Sequence, residues 1–199
     1  MSDIIDNVLH SREKWDGETT FTVRFVTRML DMINQELSES GDRDWLVDCL
    51  DQASIKISHI ENKSRRVASG LTRLGLGPGD ILHTAYNSQL DFYWPVWGAW
   101  LCGATPSVAD PALSVEVIRA QMLDTRAKVV VVSFEAVNNF LAANALLPED
   151  CKIKHILVID RDPWQSLPDG CSSFKALYND DGSACPKSLP GKFTLEARH

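Results

Sequence analysis

Hydrophobic residues recur first at helical and then at strand spacing along the middle of the chain, between residues 58 and 133. Ile60, Val67, Leu71 and Leu74 follow one another at helical intervals, with polar and charged residues between them. A stripe of this kind is typical of a helix that packs one face on a hydrophobic core. The pattern therefore predicts an amphipathic helix at the start of this region.

Signals for both ends of this helix flank the stripe. Ser58 and Glu61 have the Ser-x-x-Glu spacing of a capping box, which would satisfy the backbone amides of the first turn. Gly75 stands at the position of a left-handed C-cap, and Pro78 prevents the helix from resuming. We therefore expect the helix to end before Gly75 and the chain to turn into a strand at Ile81–Ala85.

Beyond this turn, strand-like and helix-like segments alternate as far as residue 159. The predicted strands cover residues 81–85, 105–108, 129–132 and 155–159. The predicted helices cover residues 90–101, 115–125 and 135–147. Successive strand–helix–strand units make right-handed crossovers and a parallel sheet. The expected fold class is therefore α/β, with a parallel sheet that contains these four strands.

The starts of two of these helices carry specific signals. Ser88 and Asp91 look like an N-cap and an acidic residue in the first turn, and Ser114 looks like the cap of the next helix. Pro95 would fall within the first two turns after Ser88. That helix is therefore expected either to be kinked or to begin later.

A helix and a short hairpin are predicted before the alternating region. The apolar residues at helical spacing after Phe21 are Phe25, Val26, Met29, Leu30, Ile33 and Leu37. Ser40-Gly41-Asp42 would end this helix, and residues 45–50 and 54–57 read as two paired strands.

The ends of the chain have a different character. Residues 1–20 are polar and irregular, and residues 161–199 are rich in Pro, Gly, Ser and Asp. Within this tail only residues 174–178 resemble an ordered element, so we expect the tail to be loosely ordered. The predicted organisation is an irregular N-terminus (1–20), a partial α/β domain (21–160) whose alternating units follow the helix and hairpin, and the tail (161–199).

Composition narrows the class of protein. The 199 residues are 44% hydrophobic and 24% charged, as in an ordinary soluble protein. The net charge of -7 argues against a nucleic acid or an anionic membrane as partner, because both attract basic surfaces. The five cysteines are scattered without Cys-x-x-Cys spacing, which favours reduced thiols over a zinc site. We expect an intracellular protein, cytoplasmic by default, since residues 1–9 resemble no targeting signal.

One uncharged stretch, residues 92–109, is just long enough to be weighed as a membrane span. It contains two prolines and two glycines and lies within the alternation of strands and helices. A buried helix that passes into a buried strand is the favoured interpretation.

Two motifs that could suggest catalysis favour plain structure instead. Gly75, Gly77 and Gly79 are spaced like part of a dinucleotide fingerprint, but they follow a helix and precede a strand. The fingerprint needs the opposite order, so these glycines indicate a turn. Ser133 lacks the Gly-x-Ser-x-Gly elbow of a hydrolase nucleophile.

Three further sets of residues each leave two interpretations open. Their members are His10, His59, His83 and His155; Lys63, Arg65 and Arg66; and Trp94, Trp97 and Trp100. The histidines are never paired at ligand spacing, so core or surface positions are favoured over metal binding. The basic residues favour a solvated helix face over a phosphate site. The tryptophans favour hydrophobic core over an aromatic pocket.

A series of short motifs follows one order along the chain. They are residues 64–71, Leu74-Gly75-Leu76, Pro78-Gly79-Asp80, Asn87-Ser88, Gly103-Ala104, Asp110-Pro111 and residues 127–132. In this order and spacing they resemble the N-terminal region of the AMP-forming adenylating enzymes, which include acyl-CoA synthetases, coumarate–CoA ligases and luciferases. The resemblance runs from about residue 21 to about residue 178. It departs from the family at residues 56–60, where only the last position of a Thr-Tyr-x-Glu-Leu-like motif keeps its aliphatic character.

The resemblance implies an AMP-forming ligase, with fatty acid metabolism as the expected setting. A complete relative would use ATP and Mg²⁺ to convert a carboxylic acid to an acyl-adenylate, and would then transfer the acyl group to coenzyme A. The family binds the ATP phosphates with a Ser/Thr/Gly-rich loop that ends in Pro-Lys-Gly. Here Cys185-Pro186-Lys187-Ser188 shares only the Pro-Lys step, without the preceding glycines and hydroxyls.

The resemblance therefore implies a chain truncated before the phosphate loop, because the later nucleotide motifs and the mobile C-terminal lid would lie past His199. We expect such a chain to be inactive alone, and we assign it no catalytic, cofactor-binding or metal-binding residue. ATP, Mg²⁺ and coenzyme A are expected for a complete relative only. The alternative is a non-enzymatic α/β binding or regulatory module, and a stand-alone nucleotide-binding regulator is a weaker third.

Two expectations concern the isolated chain. Helices that bear Phe25, Met29, Trp97 or Leu123 would leave apolar faces uncovered, and this favours self-association. The residues 191–199 match nothing expected of the family and lack the Ser-Lys-Leu ending of peroxisomal relatives.

Overall fold

A computed structural model describes residues 2–5, 8–11, 21–49, 52–87, 90–159 and 164–187. The helices are α1 (Phe21–Ser40), α2 (Ile57–Arg73), α3 (Tyr93–Cys102), α4 (Val115–Thr125) and α5 (Val137–Ala145). The strands are β1 (Ser2–Ile5), β2 (Val8–Ser11), β3 (Asp44–Val47), β4 (Ser54–Lys56), β5 (Ile81–Ala85), β6 (Thr105–Ala109), β7 (Val129–Val132), β8 (His155–Val158) and β9 (Cys171–Ser173). Short 3-10 helices cover Leu90–Phe92, Glu149–Cys151 and Phe174–Asn179.

Five strands form a parallel sheet in the order β6-β5-β7-β8-β9. The parallel sheet of four predicted strands is thus confirmed, and β9 adds a fifth. The chain leaves β5 for β6 on one side and then returns to β7 on the other side of β5. This reversal marks a switch point between β5 and β7, where the loops after the two strands diverge.

Helices cover both faces of the sheet. The side chains of β7 alternate between two hydrophobic clusters, with Val129 and Val131 in one and Val130 and Val132 in the other. The first cluster contains the inward faces of α2 and α3, and the second contains those of α4 and α5. All four valines are buried, as expected of a parallel strand covered on both sides.

The N-terminus of α2 differs from the predicted capping box. The helix begins at Ile57, and its N-cap residue, Lys56, makes no side-chain cap. Asp42, from the loop after α1, accepts hydrogen bonds from the Ser58 backbone N–H at 3.0 Å and from the Ser58 hydroxyl at 2.8 Å. Glu61 instead pairs with Arg65 at 2.8 Å. The Asp42 carboxylate therefore caps the first turn of α2 in place of the predicted capping box of Ser58 and Glu61.

The other predicted helix ends agree with the structure. Gly75 follows α2 with a φ of +84°, as a left-handed C-cap requires. Ser114 caps α4 by accepting from the Val117 N–H. Helix α3 begins at Tyr93, so Pro95 lies in its first turn, where a missing N–H leaves no hydrogen bond unmade. The predicted cap at Ser88 lies outside the described residues.

The segment 164–187 corrects the expectation of a loosely ordered tail. After β9, the backbone forms the predicted element as a 3-10 helix, and the buried Phe174 joins the first hydrophobic cluster. The Arg73 guanidinium on α2 then binds Asp180 at 3.1 Å and Asp181 at 2.9 Å. We call residues 174–185, held in this way against α2, the clasp. Its order comes from contacts with α2 more than a hundred residues earlier, and periodicity within the tail does not reveal them.

Three smaller expectations have mixed outcomes. Strands β3 and β4 pair antiparallel, which confirms the hairpin. Strands β1 and β2 also pair antiparallel, within a region predicted to be irregular. Within residues 92–109, α3 is buried as expected, but β6 forms an edge of the sheet and Val108 on it is largely exposed. No helix in the described part of the chain has the length and apolar character needed to cross a membrane.

Candidate functional site

The carboxyl ends of β5 and β7 form the place where an α/β sheet of this topology usually binds ligands. The Ser133 N–H, just beyond β7, donates to the Ala85 carbonyl at the end of β5 at 3.0 Å. Helix α2 leads through a tight turn into the start of β5, so its first turns lie toward this same edge. The candidate site is therefore built from the start of α2 and the segments that follow the strands.

Four side chains meet at this edge, and we call Lys63, Asp91, Trp94 and Tyr178 the edge cluster. The Asp91 carboxylate accepts from the Trp94 indole N–H at 3.0 Å and pairs with the Lys63 ammonium at 3.4 Å. The Lys63 nitrogen also lies 4.6 Å from the ring centroid of Trp94 and 3.9 Å from that of Tyr178. These distances are typical of cation–π contacts, so the ammonium is held by two rings and a carboxylate.

Burial sets the protonation behaviour of the edge cluster. It lowers the pKa of the Lys63 ammonium, and the negative charge of Asp91 opposes that effect. Burial also raises the pKa of Tyr178, and the Asp91 charge adds to the shift. The Tyr178 hydroxyl is buried near the Asp91 carboxylate. At neutral pH the cluster thus presents a neutral hydroxyl beside a paired ammonium and carboxylate, a set that can orient a polar group.

The three basic residues of α2 do not converge on a phosphate site. Lys63 belongs to the edge cluster, Arg65 pairs with Glu61, and Arg66 donates to the Asp180 carbonyl at 3.1 Å. They are also more than a solvated face, because Lys63 belongs to the edge cluster and both Arg65 and Arg66 contact the clasp. Sequence reasoning missed Asp91 and Tyr178 as their partners. Asp91 follows the predicted strand β5, and this position after a parallel strand was the signal that could have pointed to it. Tyr178 follows β9, a strand that the sequence analysis did not predict.

The histidines are dispersed. His83 is buried in β5, with its Nδ1 3.3 Å from the Ser107 hydroxyl and its ring 5.9 Å from that of Phe140. Burial lowers its pKa to about 4, so it is neutral at pH 7. His59 is exposed, His155 is half-buried, and the side chain of His10 lies outside the described residues. In the part of the chain that the structure describes, no three His, Cys, Asp or Glu residues group closely enough to hold a metal.

The tryptophans divide between core and cavity. Trp94 is fully buried, whereas Trp97 and Trp100 line an open apolar cavity of about 680 Å³. Helix α1, hairpin strand β3 and helix α3 form its walls, and we call it the α1–α3 groove. Its main side chains are Met29, Met32, Trp45, Tyr93, Trp97 and Trp100. Both interpretations of the tryptophans are therefore right in part.

The remaining candidate motifs are structural. The Ser133 hydroxyl accepts from the Ala136 N–H at 3.3 Å and so organises the start of α5. The Gly77 N–H in the glycine turn donates to the Asp80 carboxylate at 3.1 Å. Cys185 is buried, 4.0 Å from Arg65, at the end of the clasp.

Comparison with known proteins decides the family. The family model described as "AMP-binding enzyme" matches residues 34–188. The chain belongs to the AMP-binding enzyme family. The resemblance to AMP-forming adenylating enzymes is thereby confirmed.

Curated members of this family share part of the sequence. The 4-coumarate–CoA ligase of Pinus taeda is 28% identical over 152 residues, which are 76% of this chain and 26% of that protein. The 4-coumarate-CoA ligase 1 of Narcissus pseudonarcissus is 27% identical over 153 residues, with 77% and 26% covered. The chain therefore spans about a quarter of the length of the curated relatives it matches.

Solved structures show the same fold. The luciferase-like enzyme of the mealworm Zophobas morio superposes with a TM-score of 0.68 at 18% identity, covering 92% of this chain and 40% of that one. A benzoate CoA ligase of Burkholderia xenovorans gives a TM-score of 0.61 at 19% identity, with 87% and 30% covered. At these identities the likeness concerns the fold alone. The names of these proteins give no support to fatty acid metabolism.

Proposed function

We propose that this chain supplies the N-terminal scaffold of an acyl-CoA synthetase-like, AMP-forming ligase. The observation that carries the proposal is the family match over residues 34–188, together with the alignment to about a quarter of each 4-coumarate–CoA ligase. The matched residues form the sheet, the clasp and the helices that position the carboxyl edge. They carry the architecture on which such a ligase builds its chemistry.

The reaction proposed for a complete protein of this kind has two steps. The carboxylate of the acid attacks the α-phosphorus of ATP, forming an acyl-adenylate and releasing pyrophosphate. The thiol of coenzyme A then attacks the acyl carbon, and AMP leaves. The names of the relatives point to aromatic carboxylic acids, such as 4-coumarate and benzoate, as the substrate class.

We propose further that residues 1–199 do not perform this reaction alone. Adenylation needs groups that stabilise the charge developing on the phosphates, and preorganised donors of this kind account for much of such catalysis. No Ser/Thr/Gly-rich loop that ends in Pro-Lys-Gly occurs in the 199 residues. At the edge cluster the ammonium groups of Lys63 and Lys175 both pair with Asp91, at 3.4 and 3.9 Å. An intracellular, cytoplasmic setting fits a protein whose reaction class uses ATP and coenzyme A.

The test is release of pyrophosphate by the purified chain with ATP, Mg²⁺ and 4-coumarate, benzoate or fatty acids. A complete 4-coumarate–CoA ligase serves as the positive control. We expect the chain to remain at background with every acid. Turnover that depends on the acid and copurifies with the protein would contradict the proposal of inactivity.

One observation favours a second candidate, a non-enzymatic binding or regulatory module. Strand β9 extends the sheet beyond β8, and α2 and α3 cover one face of the described sheet while α4 and α5 cover the other. A module of this kind would unfold in one cooperative transition. Non-cooperative melting with strong binding of a hydrophobic dye would count against the module and for an incomplete scaffold.

A further inference from the structure

One stripe of helix α1 carries a positive, an apolar and a negative side chain at equal spacing. Arg28, Met32 and Glu36 are each four residues apart, so they lie along the same face of the helix. All three line the α1–α3 groove. Met32 is 58% exposed, so the stripe places a large apolar side chain at the mouth of the cavity.

The floor of the groove is preformed. The Trp45 ring lies 5.0 Å from that of Tyr93 and 5.2 Å from that of Trp97, measured between centroids. These rings pack on one another without closing the space above them, which keeps a volume of about 680 Å³. A fixed, largely apolar surface of this kind gains free energy when another apolar surface covers it.

The two charged residues of the stripe, Arg28 and Glu36, differ in the partners that they have within the chain. Arg28 is exposed and forms no ion pair with any other described residue. Glu36 pairs with Arg43 through Oε1 and also interacts with Ser40, whose hydrogen bond, with that of Arg43, lowers the pKa of the carboxyl. Glu36 therefore stays ionised at neutral pH, and a carboxylate can accept from more than one guanidinium.

We propose that the α1–α3 groove is the surface through which two copies of this chain associate. The α1 helices pack antiparallel about a two-fold axis that passes beside Met32. In this arrangement each Arg28 faces Glu36 of the partner, and the two Met32 side chains meet over the aromatic floor. The order positive, apolar, negative is self-complementary under a two-fold axis, as an isologous interface requires. The inference concerns assembly and does not depend on the proposed ligase function.

A second copy suits the groove better than a small amphipathic acid. Such an acid would fill the apolar space and pair with Arg28, but it would also place its carboxylate in the field of Glu36. The partner helix satisfies both charges and covers Met32 at once. The residues of α1 that line the groove run from Arg28 to Glu36, a stretch of about two helical turns that a second helix can cover.

The first test measures mass in solution by light scattering after size exclusion, with the full chain between about 1 and 100 µM. We expect the mass to rise with concentration toward twice the 22.2 kDa of one chain. Met32→Asp should abolish the rise. Leu146→Asp serves as the matched control, because Leu146 is 60% exposed near the end of α5 and does not line the groove. A monomer at every concentration, or a dimer that survives Met32→Asp, would overturn the proposal.

The second test uses charge reversal on separate chains. Arg28→Glu places two like charges at each end of the symmetric interface, and so does Glu36→Arg. Each variant alone should therefore be monomeric, with an unchanged circular dichroism spectrum. Mixed one to one, they should form a heterodimer, because every facing pair is then opposite in charge. Since misfolded chains do not regain association on mixing, folded variants that stay monomeric when mixed would refute the antiparallel arrangement.

Discussion

Helices α1 and α2 both carry amphipathic stripes, but the stripe of α2 is buried, whereas Met29, Leu30 and Ile33 of α1 are only half-buried against the same core. The apolar stripe of α2 is buried against α3 and the sheet, and on another side α2 holds the clasp. On α1, Val26 is the one buried residue among the described side chains, and Met32 faces the open groove. An amphipathic pattern therefore shows which face of a helix is apolar, but it does not show what covers that face.

The largest difference in stability is expected from truncating one large side chain in the clasp, which packs on α2, and one in the α1–α3 groove beside α1. Phe174 is fully buried in the clasp, so Phe174→Ala should lower the free energy of unfolding by about 4 kcal/mol. Met32→Ala in the groove should change it by no more than about 0.5 kcal/mol when the chain is monomeric. Urea unfolding at low protein concentration measures both. Equal losses would mean that the clasp is no better packed than the groove.

The contact between α2 and α3 gives a second test, in which Gly98 of α3 is substituted and Gly77, in the turn before β5, serves as control. A Cβ on Gly98 would lie 2.5 Å from Cγ1 of Val67, a short side chain in a buried position. Gly98→Leu should therefore cost about 3 kcal/mol by overpacking. The control is Gly77→Ala, since a Cβ there meets no atom within 4 Å. If thermal unfolding leaves Gly98→Leu as stable as the control, the close crossing of the two helices is wrong.

The sequence predicted the covered part well because its elements are set by local periodicity. The run Val129–Val132, the cap at Ser114 and the turn at Gly75 each needed only neighbouring residues to be recognised. The clasp and the Asp42 cap were missed because each depends on a partner far along the chain. Of the edge cluster, Lys63 and Trp94 were noticed, but for other roles, and no pattern in the sequence links them to Tyr178.

Acid should lower the free energy of unfolding, because it protonates the buried His83 in β5. Burial lowers the pKa of this histidine to about 4, against an ordinary value of 6.5, so protonation favours the unfolded chain. The free energy of unfolding is unaffected by His83 protonation above pH 6.5. It falls by about 3 kcal/mol in total as the pH drops from 6.5 toward 4. Unfolding measured across this range should show a flatter pH dependence for His83→Gln. The exposed His59→Gln should match the unmodified protein, and identical profiles for all three chains would exclude His83 as the cause.

The smallest effect is expected where the loop after α1 meets α2. Asp42→Ala removes the carboxylate that accepts from the Ser58 N–H and hydroxyl, so the first turn of α2 should fray. Those hydrogen bonds hold the pKa of Asp42 below its ordinary value, so the contribution is present above pH 3.8 and is lost as the pH falls further. Asp42→Asn keeps an acceptor and should lose less in a thermal melt. A larger loss for the asparagine variant would contradict capping by Asp42.

Hydrogen–deuterium exchange of the full chain measures the difference between the covered and the uncovered region most directly. At about 1 µM, amides of β9 and the clasp should exchange at least roughly tenfold more slowly than those of residues 28–36 in α1, because the clasp is tied to the packed sheet. At about 100 µM, α1 should become protected while the clasp stays unchanged. Clasp amides that exchange as fast as those of α1 at low concentration would contradict the account.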